Sequence, residues 1–112
     1  MNFQTLDIAS KNLLVSLKLL SAFQRLGLQH IVLCPGSRSA PLALASGVLS
    51  EINGLRIITS IDERSAAFLA LGIATAKGRP TAVVTTSGTA VANLLPAVIE
   101  ADRSSQPILL IT

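Results

Sequence analysis

Residues 60–72 read SIDERSAAFLALG, and this stretch decides the fold. An apolar run over 55–59 precedes it and predicts a buried strand, whereas the stretch itself predicts a helix that ends near Lys77. Two acids, Asp62 and Glu63, stand where the strand gives way to the helix. Because open α/β sheets place their chemistry at such strand-to-helix turns, the two acids are candidate functional residues.

The same strand-then-helix unit recurs along the chain, after a first helix predicted over about residues 5–26. Short apolar or β-branched runs predict four strands, near 30–34, 55–59, 81–86 and 107–112. Strands that alternate with helices are typical of an α/β fold, here an open parallel sheet flanked by helices.

Each of the first three strands is followed by a polar turn. These are the PGSRS turn (35–39), the SIDER turn (60–64) and the TTSGT turn (85–89). Parallel strands all end at one edge of their sheet, where such folds bind ligands. We therefore expect Ser37, Glu63 and Ser87 to lie along the same edge.

The composition indicates one domain with a sparsely charged surface. The chain has 112 residues, of which 50% are hydrophobic and 13% charged, about half the usual share. Because a small domain has much surface for its volume, we expect part of its apolar surface to be covered by a second subunit or by further chain. The alanine- and glycine-rich helix over 66–76 is the candidate for that contact.

Composition also argues against several classes of function. The net charge of +3 comes from scattered basic residues, and three Phe without Tyr or Trp offer no stacking platform, which disfavours nucleic-acid binding. The single Cys34 excludes an internal disulfide and fits a reducing compartment.

The uncharged stretch 80–99 is long enough for a membrane span, but polar residues and Pro96 interrupt it. With no signal peptide recognisable, we expect a cytoplasmic protein without membrane contact.

The PGSRS turn has two interpretations. Pro35-Gly36 predicts a turn, and Pro41 suits the first turn of a helix to about Ile52. The N–H groups of such a helix start attract anions, and Arg38 adds planar donors suited to a carboxylate or phosphate. Spacing alone does not separate this anion site from a plain turn with an exposed arginine.

Glu63 likewise has two interpretations. Ser60 and Glu63 match a capping box, S-x-x-E, in which Ser60 caps the helix and Glu63 is structural. The alternative is a carboxylate that handles a proton. The pattern by itself favours the cap.

Three longer motifs together resemble the N-terminal part of the MenD family. They are CPGSRSAPLALA (34–45), DERSAAFLALGIA (62–74) and TTSGTAVANLLPAVIEA (85–101). MenD enzymes are thiamine diphosphate-dependent 2-succinyl-5-enolpyruvyl-6-hydroxy-3-cyclohexene-1-carboxylate synthases of menaquinone or phylloquinone biosynthesis. The resemblance covers essentially the whole chain and implies that residues 1–112 are the N-terminal part of the domain that receives the aminopyrimidine ring of the cofactor.

The resemblance implies roles for seven residues. Glu63 would be catalytic and would hydrogen-bond N1′ of the aminopyrimidine, favouring its imino tautomer. Ser37 and Arg38 would bind substrate, with Arg38 pairing a carboxylate. The residues implied to line the aminopyrimidine beside Glu63 are Pro35, Gly36, Thr86 and Asn93.

The resemblance further implies a reaction and partners. The substrates would be 2-oxoglutarate, which is decarboxylated, and isochorismate, which receives the succinyl-semialdehyde unit. A second domain outside this chain would hold the diphosphate and Mg2+ or Mn2+, and a homodimer or homotetramer would form each site between subunits. This chain would then be a fragment that holds half of the site and is inactive alone. Two alternatives stay open: another thiamine diphosphate-dependent carboligase or decarboxylase, and a non-enzymatic anion-binding module.

Overall fold

The computed structural model describes residues 3–112, with side chains described from residue 7 onward. All four predicted strands are confirmed, each within two residues of its predicted bounds. In chain order the elements are α1 (Phe3–Arg25), β1 (His30–Leu33), α2 (Ala40–Asn53), β2 (Arg56–Thr59), α3 (Glu63–Lys77), β3 (Thr81–Val84), α4 (Thr89–Ala92), α5 (Leu95–Ser104) and β4 (Ile108–Ile111).

The strands form one parallel sheet in the order β2-β1-β3-β4. In the register, Ile31 of β1 lies beside Ile57 of β2 on one side and Ala82 of β3 on the other. The predicted parallel α/β sheet is therefore confirmed. Since all four strands run the same way, the turns that follow them lie at one edge.

Helices cover both faces of the sheet, because successive strand residues point to opposite sides. Ile31 packs into an apolar cluster with Leu20 of α1 and Leu49 of α2. Its neighbour Val32 packs into a second cluster with alanines of α3 and with Ala97 of α5. The molecule thus has three layers, with α1 and α2 on one face and α3 and α5 on the other.

The small residues of α3 serve the chain's own core. Ala66, Ala67 and Ala70 are fully buried against the sheet and α5, which an alanine face permits because it lets the backbones approach closely. These three alanines are therefore not available to a partner, and association through the helix over 66–76 stays a prediction. The outer side of α3 instead exposes Phe68 and Leu69, at 40% and 42%.

Between β3 and β4 the chain forms two helices rather than one. The chain forms the short α4 and then α5, with Asn93 and Leu94 between them. Pro96 lies in the first turn of α5, where its missing N–H costs no hydrogen bond, so it starts a helix rather than bending one. The uncharged stretch 80–99 therefore folds as β3, α4 and the beginning of α5. Within the described residues, no helix combines the length and apolarity that a membrane crossing requires.

Candidate active site at the carboxyl edge of the sheet

Backbone hydrogen bonds bring the three polar turns together. The N–H of Ser60, in the SIDER turn, donates to Leu33 O at the end of β1 (3.0 Å). The N–H of Cys34, which precedes the PGSRS turn, donates to Val84 O at the end of β3 (2.9 Å). The PGSRS turn therefore lies between the other two, and the prediction that all three share one edge is confirmed.

The PGSRS and TTSGT turns approach each other most closely at Gly36 and Thr86. A Cβ atom added to Gly36 would lie 2.9 Å from Cβ of Thr86, closer than real Cβ contacts allow. The hydroxyl of Ser39, a buried residue, donates to the carbonyl of Gly36 (3.1 Å) and fixes the turn from the other side. The contact therefore requires glycine at position 36.

The capping-box prediction for Ser60 and Glu63 is wrong. Asp62 is the N-cap of α3, and its Oδ2 accepts from the N–H (2.9 Å) and the hydroxyl (2.6 Å) of Ser65. Asp caps as well as Ser does, and here it starts the helix two residues later than the box predicted. Glu63 is the first residue of α3, and its carboxylate accepts no hydrogen bond from the side chains that the structure describes.

Two charged residues of the SIDER turn affect the pKa of Cys34, which follows β1. The hydrogen bonds from the hydroxyl and N–H of Ser65 lower the pKa of Asp62, which keeps this carboxylate ionised. Burial raises the pKa of the Cys34 thiol above 9.0, and the negative charges of Glu63 and then Asp62 add to the increase. The negative charge of Glu63 thus acts on the thiol of Cys34, the residue directly before the PGSRS turn.

Arg38 borders a depression of about 260 Å3 between the PGSRS and TTSGT turns. Its Nη1 donates to Oγ of Ser87 (3.3 Å), which leaves the other guanidinium donors unused. Between residues 7 and 112, no carboxylate lies within ion-pair distance of Arg38. The residues lining the depression are Arg38, Ser39, Leu42, Thr85, Thr86, Ser87 and Thr112.

The structure brings most of the predicted site residues together. Pro35 and Ser37 are exposed on the same turn as Gly36 and Arg38, and Thr86 lines the depression. Asn93 lies further along, at the end of α4, where its Nδ2 donates to Thr89 O (3.1 Å).

Sequence reasoning did not assign the roles of three residues that shape the site: Asp62 as the cap of α3, Ser87 as the partner of Arg38, and Ser39 as the contact that fixes the PGSRS turn. The signal for Asp62 was present, since D-E-R-S places a favoured N-cap residue three positions before Ser65. No pattern in the sequence pairs Ser87 with Arg38, because 49 positions separate them and only the fold makes them neighbours.

Residues 15–112 match the family described as thiamine pyrophosphate enzyme, N-terminal TPP binding domain. The chain belongs to this family. Its TPP-binding fold is supported by a solved structure described as that of a thiamin diphosphate-dependent enzyme from Mycobacterium smegmatis, with a TM-score of 0.67 at 24% identity. That similarity covers 81% of this chain and 17% of the solved chain.

Curated relatives within this family are much more similar in sequence. A protein of Prochlorococcus marinus is 69% identical over 91 residues, which cover 81% of this chain and 16% of the relative. A protein of Synechococcus sp. (strain CC9605) is 67% identical over 97 residues, covering 87% and 17%. Both are named 2-succinyl-5-enolpyruvyl-6-hydroxy-3-cyclohexene-1-carboxylate synthase, so the predicted resemblance is confirmed. This chain spans about a sixth of their length.

Proposed function

We propose that the full-length protein is a thiamine diphosphate-dependent transferase that decarboxylates 2-oxoglutarate and adds the succinyl-semialdehyde unit to isochorismate. The product would be 2-succinyl-5-enolpyruvyl-6-hydroxy-3-cyclohexene-1-carboxylate, an intermediate of menaquinone or phylloquinone biosynthesis. The observation that carries the proposal is the 67–71% identity to synthases named for that product. The geometry of the carboxyl edge supports it.

The residues at this edge fit thiamine diphosphate. Glu63 is the first residue of α3, and its carboxylate takes no part in capping the helix, because Asp62 does so. Its charge acts on Cys34, just after the end of β1. Such a carboxylate can hydrogen-bond a protonated ring nitrogen and stabilise its charge. Glu63 would therefore hold the proton at N1′ of the aminopyrimidine, while the bound cofactor supplies the carbanion-stabilising chemistry. Residues proposed to line the ring beside it are Pro35, Gly36, Thr86 and Asn93.

Arg38 is the proposed contact to substrate carboxylates. Both 2-oxoglutarate and isochorismate carry carboxylate groups, and a guanidinium binds such groups through two parallel hydrogen bonds. Arg38 is free to bind such a group, because only one of its donors bonds to Ser87 and it has no acidic partner among residues 7–112. Ser37 is exposed on the same turn and would add a hydroxyl contact.

The remaining parts of the enzyme are proposed to lie outside this chain. Residues 1–112 would be the N-terminal part of the aminopyrimidine-binding domain, which fits their 15–18% share of the curated relatives. Another domain would hold the diphosphate and Mg2+ or Mn2+. We further propose a cytoplasmic homodimer or homotetramer whose subunits complete each other's sites.

The test is product formation by the purified full-length protein from isochorismate and 2-oxoglutarate, followed by mass spectrometry. We expect the product only when thiamine diphosphate and Mg2+ are both present. Carbon dioxide release without addition to isochorismate would favour a different carboligase or decarboxylase. Absence of any turnover together with anion binding would favour a non-enzymatic module.

A further inference from the structure

A larger cavity lies at the opposite, amino edge of the sheet. It has a volume of about 640 Å3 and lies where α1, α2 and α3 end and β1 and β2 begin. That volume suits a small metabolite. The residues lining this groove, called here the amino-edge groove, are Ser21, Gln24, Arg25, Leu28, Gln29, His30, Asn53, Gly54, Arg56 and Lys77.

The charged residues of the amino-edge groove all have the same sign. Arg25, Arg56 and Lys77 are cationic, and no Asp or Glu lines the groove. Over residues 7–112 the ion pair that forms is between Lys11 and Asp7, so no acidic side chain described by the structure neutralises the three cations. His30 lies among them, and burial together with the charges of Arg56 and Lys77 lowers its pKa below 6.5.

The simplest alternative is that these cations only compensate the negative ends of three helices. Each helix end carries roughly half a negative charge, so three ends offset at most about half of three full positive charges. Two of the carbonyls there already accept hydrogen bonds: Gln24 O from the N–H of Gly27 (3.0 Å), and Asn53 O from Nε2 of Gln24 (3.3 Å). The groove therefore keeps an excess of positive charge.

From this geometry we propose that the amino-edge groove binds a small oxyanion with at least two negative charges, either a phosphate or a polycarboxylate. Arg25 and Arg56 supply planar donor groups for its oxygens, Lys77 supplies a third cation, and neutral His30 supplies one N–H. Because these side chains reach solvent, the binding is expected to weaken as salt rises. The groove lies at the edge opposite Glu63 and Arg38, so it is separate from the proposed active site.

The test is isothermal titration calorimetry on the full-length protein loaded with thiamine diphosphate. The probes are inorganic phosphate, tricarballylate and, as a monoanion, acetate. We expect saturable binding of phosphate or tricarballylate, much weaker binding of acetate, and a roughly three- to tenfold loss of affinity in Arg56→Gln or Lys77→Gln. The probe that binds more tightly identifies the ligand chemistry.

Two control variants locate the binding. Lys11→Gln removes one exposed positive charge on α1, about 21 Å along the helix from Arg25, and should leave affinity unchanged. Arg38→Gln should also leave it unchanged, whereas anion binding at the active site would be lost in this variant. The proposal is overturned if neither polyanion binds, or if Arg56→Gln and Lys77→Gln bind as tightly as the wild type.

Discussion

Asp62 and Ser65 together close the first turn of α3, since one carboxylate oxygen of Asp62 accepts from both the N–H and the hydroxyl of Ser65. This pair performs the capping that the sequence pattern assigned to Ser60 and Glu63. As a result, the Glu63 carboxylate is not needed to hold the helix together. The separation of the two acidic roles allows stability and activity to be tested with different variants.

Replacing Asp62 should destabilise α3, whereas replacing Ser60 should not. Asp62→Ala removes the side-chain acceptor for Ser65, and we expect the melting temperature to fall by a few degrees. Ser60→Ala loses only a weak contact from its hydroxyl to Asp62 O (3.3 Å), so its melting temperature should stay close to that of the wild type. Thermal melts followed by circular dichroism measure both variants. A larger loss of melting temperature in Ser60→Ala than in Asp62→Ala would support the capping box of Ser60 and Glu63 instead.

The contribution of Asp62 should depend on pH in a defined direction. Its pKa is lower in the folded protein than the ordinary 3.8 because Ser65 donates to the ionised form. Its stabilising effect is therefore fully present above pH 3.8 and is lost as the pH falls through the lower folded pKa. Melts at several pH values should show the difference between wild type and Asp62→Ala shrinking below that pH.

Gly36→Ala should disrupt the contact between the PGSRS and TTSGT turns. The new methyl group would lie 2.9 Å from Cβ of Thr86, so the turns must separate. Overpacking of this kind costs roughly 1–3 kcal/mol. Gly47→Ala is the matched control, because a Cβ there meets nothing within 4 Å and helix propensity favours alanine by up to about 1 kcal/mol. Urea unfolding measures both, and equal stability of the two variants would contradict the close contact.

These residues show which features the sequence could predict. Strand positions and the shared edge were predictable, because hydrophobic runs such as TAVV (81–84) and the turns after them are local signals. The start of α3 was predicted wrongly because two acceptable caps, Ser60 and Asp62, lie two residues apart, and the Ser60–Glu63 spacing was preferred over the equally local Asp62–Ser65 pair. The amino-edge groove was not predictable, since Arg25, Arg56 and Lys77 are far apart in sequence and become neighbours only where three helices end.

Arg38→Lys should impair use of substrate in the full-length enzyme. Lysine keeps the charge but lacks the planar pair of donors, so we expect KM for 2-oxoglutarate or isochorismate to rise roughly tenfold. Affinity for thiamine diphosphate should change little. Ser87→Ala removes only the hydrogen bond that orients Arg38 and should have a smaller effect. Steady-state kinetics with each substrate varied separately test this. Wild-type KM values in Arg38→Lys would mean that Arg38 is an ordinary surface residue that does not bind substrate.

The pKa of His30 should respond to the positive charges of the amino-edge groove. Its lowered pKa means that the folded protein resists protonation, so the contribution of His30 to stability is full above pH 6.5 and declines as the pH falls below it. Arg56→Gln and Lys77→Gln should each move this pKa back toward 6.5. The NMR signal of the His30 ring, assigned from its absence in His30→Gln, measures the change. A pKa unaffected by both variants would mean that these charges do not act on the groove.

Glu63→Gln separates the catalytic from the structural interpretation of this residue most directly. Asp62 provides the cap, so we expect an almost unchanged melting temperature. The amide carries no charge to stabilise a proton at N1′ of the cofactor. Carboligation should therefore fall by roughly 10²-fold or more, and exchange of the C2 proton of bound thiamine diphosphate, followed by NMR after acid quench, should slow in parallel.

A readout independent of turnover locates the Glu63 charge. Because Glu63 helps to raise the pKa of the Cys34 thiol, Glu63→Gln should lower that pKa. Cys34 is buried, so its titration is followed by the ¹³C NMR signal of its Cβ rather than by alkylation. Glu100→Gln, which removes an exposed acid from α5, serves as the control and should leave this titration unchanged. If Glu63→Gln shifts the Cys34 titration but leaves C2 exchange at the wild-type rate, Glu63 lies at the site without serving the cofactor. The carboxylate that holds the proton at N1′ would then have to come from another part of the protein.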